Sequence, residues 1–440
     1  MEKSIKDWCI KMKKKNFLLI GSGGREHAIA YSLSKSKFCQ SLYVANGNPG
    51  TSELAKNVSI DTSKPFDVLD FCLENLIDLV VVGPEAPLME GLADILKENQ
   101  IFVIGPCKNG ALLEGSKAYA KTFMQKYEIP TAEYRQFHQS QLEEAINYLQ
   151  TVKYPIVLKA SGLAAGKGVV TCESYPFAKS ILEQMLNGSL LGDAGTTVVV
   201  EHFLNGWEVS MFILTDGKNY LLLPEAKDYK RIGEGNSGPN TGGMGSVSPV
   251  SLLKPELKNK IIQKIIEPTL LGLKKENIEY EGFIFFGLMI VQDEPYLLEY
   301  NVRMGDPETQ SVFSRITSDV GEMFIYAAEK KLNEYQLTVC PQTAVTLVCV
   351  SEGYPASYEK EKAIHISKIP YKDVFLYHAG TKFKENQLVT NGGRVINITA
   401  LGDGLAEAIQ KVYKANESII YSNKYFRKDI GQDLLVLESL

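Results

Sequence analysis

The sequence predicts a mixed α/β (α+β) fold made of three consecutive units. Short apolar runs alternate with helical patterns over the first hundred residues, which indicates a parallel sheet covered by helices. Strand patterns dominate from 207 to 300, and another strand-rich stretch follows Pro341. The alternation in the middle stretch and the absence of internal repeats indicate a mixed, largely antiparallel sheet there.

The first unit begins with an apolar strand, Phe17 to Ile20, which runs into the turn "GSGGRE" and then a helical pattern. "SLYVANGNPG" is a second strand and turn, and two further strands, 79–82 and 101–104, end in "GPEAPL" and "GPCKNGA". Parallel sheets bind ligands at the carboxyl ends of their strands, where these glycine turns lie. The pattern therefore predicts a Rossmann-like N-terminal domain with a ligand site at its turns.

The later elements follow in order along the chain. "LEGSKAYAKTFMQKYEIP" is typical of one helix that ends before Pro130. A compact region of short strands and helices spans about 131–205 and precedes the strands of the middle stretch. A helix-rich stretch reaches about 333, and the last strands are followed by an amphipathic helix at 404–418.

Composition and charge exclude several classes of function. Apolar residues make up 45% of the 440 residues and charged residues 22%, as in an ordinary soluble protein. The formal net charge of -5 gives no reason to expect a nucleic acid or an acidic membrane as a partner. The longest strongly apolar stretch, 283–291, is too short to span a bilayer. The seven cysteines form no C-x-x-C pair and the five histidines no cluster, which indicates a reducing compartment and argues against a zinc site.

Residues 1–15 are rich in Lys and lack the long apolar core of a secretory signal. Arg is absent, and Glu2 and Asp7 are present, which argues against a transit peptide. We therefore expect a disordered leader and a cytoplasmic protein.

The turn "GSGGRE" fails the test for a dinucleotide site. Gly21 and Gly23 fit the G-x-G-x-x-G pattern, but Glu26 occupies the third glycine position, and the acidic residue expected about 20 residues later is absent. Gly23 and Gly24 allow a backbone to approach an anion at a helix N-terminus, and Arg25 adds positive charge. The turn suits one phosphate of a small substrate; a tight turn without a ligand is the alternative.

"KASGLAAGKGVV", residues 159–170, is similar to the phosphate-binding loop G-x-x-x-x-G-K-[ST] but is one residue short. Gly168 also stands where the metal-facing hydroxyl is required. The small residues allow successive N–H groups to close over phosphates as a flap. Lys159, at the end of a strand, and Lys121 could each reach that polyphosphate, and a solvent-exposed hairpin is the alternative.

Two further strand ends carry polar groups suited to a nucleotide and its metal. In "VVVEHFLNGWE" the strand ends at Glu201, where backbone amides and an aromatic neighbour can bind a purine edge, and Glu208 can hold ribose hydroxyls. In "YLLEYNVRMGDPETQ", Glu299 and Asn301 alternate onto one face of a strand, and two oxygen donors at that spacing suit Mg²⁺. Arg303 follows directly. A strand leading into a turn and a solvated loop are the respective alternatives.

Residues 228–249 form a glycine-rich segment with six glycines and two prolines, together with the charged residues Asp228, Lys230 and Arg231. A loop this long without secondary structure is functional or disordered. The composition of "NTGGMG" favours a functional loop.

These segments resemble the ATP-grasp superfamily and, within it, the phosphoribosylamine–glycine ligase family. The resemblance extends from about 17 to 431 and rests on the motifs "GGREHA", "VGPEAPL", "LEGSKA", "GLAAGKGV", "GPNTGGMG", "GDPETQ", "HAGT", "TNGGRV" and "RKDIG". Tyr229, Met304 and Ser161 depart from the residues usual in that family.

Composition predicts the leader at 1–15. The resemblance implies the domains that follow it: a Rossmann-like N-terminal domain at 16–116, an ATP-grasp domain at 117–335 with a lid subdomain at about 131–205, and a strand-rich C-terminal domain at 336–440. It implies ATP-dependent ligation of glycine to 5-phosphoribosylamine through a glycyl phosphate, in purine biosynthesis. ATP is then the co-substrate, Mg²⁺ or Mn²⁺ the cofactor, and a monomer the expected state.

The resemblance also implies the roles of individual residues. It implies that Arg303, Lys159 and Asp228 are catalytic and that Asp228 holds the glycine ammonium. It implies that Glu299 and Asn301 bind the metal. The remaining ATP-binding residues are Lys121, Gly166, Lys167, Gly168, Glu201, Phe203, Leu204 and Glu208. The remaining substrate-binding residues are Gly23, Gly24, Arg25, Asn46, Glu85, Asn240, Thr241, Gly242, Gly243 and Asp306.

Two alternatives stay open from the sequence. One is an ATP-grasp ligase that acts on a different amine or acid. The other is a nucleotide-binding or assembly protein without catalysis, although the retained Lys121, Lys159, Glu299, Asn301 and Arg303 argue against it.

Overall fold

The structure, a computed structural model, describes residues 13–163 and 168–438. Most of the predicted leader, residues 1–12, and the flap residues Gly166 and Lys167 lie outside the described residues. No described helix combines the length and the apolar character needed to cross a membrane.

The N-terminal domain is built on a parallel five-stranded sheet of order β3-β2-β1-β4-β5. All four residues of β4 are buried, because helices cover both faces of the sheet. The predicted helix-covered parallel sheet is therefore confirmed. Its strands are β1 (Lys15–Gly21), β2 (Cys39–Asn46), β3 (Lys56–Val58), β4 (Leu79–Val82) and β5 (Phe102–Ile104), and its helices are Gly24–Ser34, Pro65–Glu74, Ala86–Met89 and Leu92–Glu98.

The single helix predicted for "LEGSKAYAKTFMQKYEIP" is wrong. Two helices, Lys108–Gly115 and Lys117–Lys126, meet at Ser116, whose backbone is extended with φ -137° and ψ 108°. The Ser116 hydroxyl accepts the N–H of Tyr119 at 3.2 Å and so caps the second helix. A serine that competes with the backbone for hydrogen bonds favours such a break over a helix interior.

Residues 134–202 form a compact unit with a hydrophobic core of its own. An antiparallel sheet of order β6-β9-β7-β8 packs against two helices through a cluster that includes Phe137, Leu158, Leu182 and Val198. The unit lies inside the region predicted to be the lid. Its strands are β6 (Tyr134–His138), β7 (Ile156–Ala160), β8 (Val169–Cys172) and β9 (Thr197–His202), and its helices are Leu142–Leu149 and Tyr175–Leu186.

The central sheet is antiparallel, has the order β11-β10-β16-β17 and is formed by strands between 207 and 301, as predicted for this stretch of the chain. Helices Pro255–Ile261 and Glu267–Lys275 follow one another through a π-helical turn at Ile262–Ile266. The strands of this part of the chain are β10 (Trp207–Thr215), β11 (Tyr220–Leu222), β12 (Lys227–Asp228), β13 (Arg231–Gly233), β14 (Ser237–Asn240), β15 (Gly245–Ser248), β16 (Gly282–Val291) and β17 (Glu294–Asn301).

The glycine-rich segment 228–249 was expected to lack secondary structure, and this prediction is wrong. Strands β13 and β14 pair as a short antiparallel hairpin. Strand β15 pairs with β18 (Thr343–Ser351), about one hundred residues later, and β12 pairs with β15. Partners this distant along the chain leave no local signal in the segment itself.

The C-terminal sheet has the order β12-β15-β18-β23-β20, and β25 also pairs with β18. Because β12 and β15 belong to the glycine-rich segment, this sheet fixes that segment in place. Helix Leu405–Asn416 packs on the sheet, as the amphipathic pattern predicted. The remaining elements are helices Glu308–Arg315, Val320–Ala328 and Gln432–Glu438 and strands β19 (His365–Ile366), β20 (Val374–His378), β21 (Thr381–Lys384), β22 (Gln387–Thr390), β23 (Arg394–Gly402), β24 (Ile419–Ile420) and β25 (Lys424–Tyr425).

Candidate active site

A cavity of about 610 Å³ lies where the N-terminal domain, the 134–202 unit, the central sheet and the C-terminal domain meet. Side chains from widely separated parts of the chain converge on it. The sequence-predicted residues that line it are Arg25, Glu85, Lys121, Lys159, Gly168, Glu201, Asp228, Asn240, Thr241, Gly242, Glu299, Asn301, Arg303 and Asp306.

Other predicted residues are not part of this lining. Asn46 is exposed at the end of β2, and its side-chain oxygen accepts the N–H of Ile60 at 3.0 Å. Glu208 lies outside the lining, and its carboxylate lies 2.8 Å from Nζ of Lys230, which does line the cavity. The structure describes further residues that were predicted to belong to the site but do not line the cavity: Gly23, Gly24, Asn46, Phe203, Leu204, Glu208 and Gly243.

The turn at Gly23 and Gly24 is held by protein groups. The Gly23 N–H donates to the Glu26 carboxylate at 2.7 Å, and Arg25 Nε donates to the other Glu26 oxygen at 2.7 Å. A Cβ on Gly24 would lie 1.9 Å from Asn397 Nδ2, so this glycine permits close packing against the C-terminal domain. An anion at this turn would have to compete with Glu26, and the predicted phosphate site stays a prediction.

Lys121 and Lys159 share one counterion. The Glu201 carboxylate lies 3.1 Å from Lys121 Nζ and 2.9 Å from Lys159 Nζ, and all three side chains are buried. Lys121 also donates to Thr131 Oγ1 at 2.6 Å. Burial lowers the pKa of Lys121 to about 8, although Glu201 opposes the shift. Two ammonium groups with one carboxylate leave a net positive charge at the cavity wall, which suits a polyphosphate.

The predicted role of Glu201 in binding adenine stays a prediction, but its carboxylate is engaged with the lysines. Phe203 is exposed beyond the end of β9. Lys159 Nζ additionally donates to the Leu298 carbonyl at 3.1 Å, which ties the 134–202 unit to the central sheet.

Glu299 and Asn301, at the end of β17, both line the cavity, which agrees with the predicted single face. Among the described residues, no hydrogen bond or ion pair engages the Glu299 carboxylate. Burial raises its pKa, but Lys230, Lys159 and other cations outweigh burial and hold the pKa below its usual value. An ionised carboxylate and an amide oxygen, neither of which has a hydrogen bond within the described part of the chain, fit a hard cation such as Mg²⁺.

The described residues contain no group of three or more His, Cys, Asp or Glu side chains arranged to hold a metal. Mg²⁺ commonly takes only one or two carboxylates from the protein and completes its shell with water and substrate phosphates. The pair at 299 and 301 therefore fits a metal that arrives with a nucleotide better than a resident metal centre.

Arg303 is held by two acids at the edge of the cavity. Its NH2 group donates to Glu114 at 2.6 Å, and its Nε lies 3.5 Å from Glu85. Nε is buried, and the Glu85 carboxylate at 3.5 Å is too distant for a normal hydrogen bond. The second Glu114 oxygen accepts the Val302 N–H at 2.8 Å. Burial raises the pKa of Glu114 to about 7, against the effect of Arg303.

A second charged cluster surrounds Lys230. Its Nζ lies 2.8 Å from Glu208 and 3.9 Å from Asp228. Burial raises the pKa of Asp228 to about 8; Lys230 opposes this, and Glu308 and Glu208 add to it. Burial works against the charge on Lys230, but the surrounding carboxylates hold its pKa well above the usual value. The carboxyls of Asp228, Glu208 and Glu308 outnumber the single ammonium of Lys230, so a second ammonium group placed here would favour the ionised form of Asp228.

Arg394 brings the C-terminal domain into the site. It lies 3.1 Å from the Asp306 carboxylate, donates to the Asp306 carbonyl at 2.7 Å, and also donates to the Gly242 carbonyl. Gly243 has φ +113°, and a Cβ there would lie 2.3 Å from Pro307, so the glycine permits this close approach. Arg394 thus joins the glycine-rich segment to the "GDPETQ" turn.

Sequence reasoning assigned no role to Glu114, Lys117, Lys230, Glu308 and Arg394, all of which line the cavity. Each lies inside or beside a quoted motif, namely "LEGSKA", the segment 228–249, "GDPETQ" or "TNGGRV". A charged residue within such a motif was the available signal.

Models of the phosphoribosylglycinamide synthetase family match consecutive parts of the chain: the N domain matches residues 15–114, the ATP-grasp (A) domain 115–309 and the C domain 344–433. The phosphoribosylamine–glycine ligase of Clostridium acetobutylicum is 43% identical over 415 residues, which cover 94% of this chain and 99% of the relative. The enzyme of that name from Agrobacterium fabrum is 43% identical over 422 residues, with 96% and 99% covered.

A crystal structure of the phosphoribosylamine–glycine ligase from Thermotoga maritima aligns with a TM-score of 0.81 at 34% identity and covers 94% of this chain and all of that one. The aligned regions of these relatives cover every part of the chain that lines the cavity. The chain therefore belongs to the phosphoribosylglycinamide synthetase family of ATP-grasp proteins.

Proposed function

We propose that the protein is a phosphoribosylamine–glycine ligase, which joins glycine to 5-phosphoribosylamine and converts ATP to ADP and phosphate. The product is glycinamide ribonucleotide, and the reaction belongs to de novo purine biosynthesis. One observation carries the proposal: a single cavity is lined by the residues suited to each reactant. They are the two lysines for phosphate, Lys121 and Lys159, the two oxygen donors for a metal, Glu299 and Asn301, and Arg303 and Asp228.

The triphosphate of ATP would lie against Lys121 and Lys159, where positive charge exceeds the single Glu201 carboxylate. Adenine would contact the chain near Phe203 and Leu204, and the ribose would contact Glu208. Glu299 and Asn301 would hold Mg²⁺ or Mn²⁺, which neutralises charge on the phosphates when it is bound.

The reaction would proceed in two steps. A glycine carboxylate oxygen attacks the γ-phosphorus, the bond to the β-phosphate oxygen breaks, and ADP leaves with glycyl phosphate formed. The nitrogen of phosphoribosylamine then attacks the acyl carbon, the C–N bond forms, phosphate leaves, and the nitrogen loses one proton. Phosphorylation is needed because a free carboxylate would have to expel oxide.

The residues of this chain would act by position and charge, without a covalent intermediate. Arg303, which lines the cavity, would stabilise negative charge on the glycine carboxylate or on the transferring phosphoryl group. Asp228 would hold the glycine ammonium, and Arg25, Glu85 and Asp306 would border the phosphoribosylamine site. Alignment of reactants contributes about 7–11 kcal/mol to lowering such barriers.

Residues 131–205 would act as a lid within an ATP-grasp domain of 117–335, between an N-terminal domain of 16–116 and a C-terminal domain of 336–440. The separate core of residues 134–202 supports movement of this part as one body. Closure would exclude water, which otherwise hydrolyses the acyl phosphate. We further infer a cytoplasmic monomer; sedimentation velocity tests the monomer, and fractionation tests the location.

The direct test of the function is ADP release with each substrate omitted in turn. Release should require glycine and phosphoribosylamine together with Mg·ATP, and glycinamide ribonucleotide should form in equal amount. Release that depends on another amine or acid supports a different ATP-grasp ligase. ATP binding without turnover supports a non-catalytic protein.

A further inference from the structure

Side chains alternate in direction along residues 227–230. Asp228 and Lys230 line the cavity, whereas Lys227 and Tyr229 contact the end of the chain. This is the alternation expected of an extended strand, which places neighbouring side chains on opposite faces. Contacts that fix the side chains of Lys227 and Tyr229 on one face therefore also fix the positions of Asp228 and Lys230 on the other face.

Asp433 holds the face that points away from the cavity. One carboxylate oxygen accepts the Tyr229 hydroxyl at 2.6 Å, and the other forms an ion pair with Lys227. The same hydroxyl accepts the N–H of Gly431 at 3.1 Å. The Tyr229 side chain is almost fully buried, so its hydroxyl depends on these partners in place of water.

Arg427 holds the next part of the segment. Its side chain is buried, forms two hydrogen bonds with Asp429, and donates to the Arg231 carbonyl and the Asn236 side chain at 3.1 Å each. Asp429 in turn accepts the Gly235 N–H at 2.9 Å. Residues 234–239 are otherwise exposed, so the β13–β14 hairpin is held by these contacts together with the Tyr425 hydroxyl, which donates to the Ile232 carbonyl at 3.0 Å.

We propose that residues 427–433 are a positioning element for the substrate site, in which Asp433 acts through Tyr229 to place Asp228 and Lys230. The inference rests on the proposed function, because it takes the Asp228 cluster to be the glycine site. Neither Asp433 nor Tyr229 lines the cavity, so both would act on the substrate site without touching the substrate.

The test compares the KM values for glycine and for ATP in Tyr229→Phe and Asp433→Asn. Tyr229→Phe removes only a hydroxyl and keeps the ring. The KM for glycine should rise about three- to tenfold in each variant, as expected when a hydrogen bond that fixes a binding group is lost. The KM for ATP should stay within about twofold of the wild-type value, because Lys121 and Lys159 lie on other elements of the fold.

Matched controls are Tyr335→Phe, which removes a buried hydroxyl bonded to the Asp319 carbonyl, and Asp78→Asn, which removes an aspartate paired with Lys15. Both should leave the two KM values unchanged. Melting temperatures verify that each variant is folded.

An unchanged KM for glycine in folded Tyr229→Phe, with the wild type active, overturns the positioning role and leaves the ligase function intact. An equal rise of both KM values also overturns it, because the effect is then general. Absence of glycine-dependent ADP release in the wild type overturns the proposed function, and the inference with it.

Discussion

The Lys159 ammonium lies 2.9 Å from the Glu201 carboxylate, and both side chains are buried. Their strands β7 and β9 are antiparallel neighbours, and Glu201 lies opposite Val157, two residues from Lys159 on the same face. Glu201 is thus held where it offsets part of the positive charge of Lys159 and Lys121.

Glu201→Gln leaves two buried cations without their carboxylate. Loss of one partner of a buried ion pair costs about 3–5 kcal/mol, so the melting temperature should fall by several degrees without nucleotide. Mg·ATP should restore part of the loss, because its phosphates replace the missing charge.

Glu294→Gln is the matched control, because Glu294 also contacts two lysines, Lys260 and Lys264, but is 41% exposed, compared with 2% for Glu201. Exposed ion pairs are screened by solvent and contribute little to stability, so little change is expected. Equal melting temperatures for the two variants would contradict the role given to Glu201.

Glu299→Ala should abolish Mg·ATP-dependent turnover with little loss of fold, because the carboxylate makes no hydrogen bond or ion pair among the described residues. Mn²⁺ binding in the presence of an ATP analogue, followed by electron paramagnetic resonance, should weaken in parallel. Glu294→Ala, at the opposite end of the same strand, should leave both readouts unchanged. Near-normal activity of Glu299→Ala would refute the metal role.

The rate should depend on the ionisation of Glu114. Burial raises the pKa of this carboxyl to about 7, and only its ionised form pairs fully with Arg303. The value of kcat/KM should therefore fall as the pH drops below about 7. Glu114→Gln keeps an acceptor for Val302 but cannot titrate, so its profile should lose this limb; an unchanged profile would refute the assignment.

Acid should destabilise the contact between the N- and C-terminal domains. His27 Nδ1 accepts the N–H of His378 at 2.8 Å, and burial lowers the pKa of His27 to about 3 and that of His378 to about 4. Below the ordinary histidine pKa of about 6.5 the unfolded chain binds more protons, so stability falls as the pH falls, by up to about 1.4 kcal/mol per pH unit for each histidine.

His27→Gln should reduce the drop in melting temperature between pH 7 and pH 5, even if the variant is less stable at pH 7. His365→Gln, which changes an exposed histidine, should behave like the wild type. A drop in His27→Gln as large as in the wild type would show that His27 does not titrate on unfolding in this range.

Local patterns were sufficient to predict the parallel sheet of the N-terminal domain, but not which residues after its strands line the cavity, because Gly23, Gly24 and Asn46 lie outside the lining. They also predicted that Lys159, at the end of an apolar strand, lies beside an anion, which is the Glu201 carboxylate, and that Glu299 and Asn301 lie on one face of a strand. The binding roles of these three residues stay predictions. Local patterns failed at Ser116, where a cap competes with helix propensity.

The rest of the site could not be predicted from the sequence, because it depends on pairing between strands that are distant along the chain. Glu201 could not be recognised as the shared counterion without the register of β7 and β9. Arg394 enters the cavity only because β23 pairs with β18, which in turn pairs with β15 of the glycine-rich segment. Such contacts depend on tertiary structure, and no spacing within one segment predicts them.

The most direct test of the central claim is a crystal structure with a non-hydrolysable ATP analogue and Mg²⁺. The account predicts triphosphate oxygens beside Lys121 and Lys159 and a metal bound by Glu299 and Asn301. A triphosphate bound away from these four residues would contradict it.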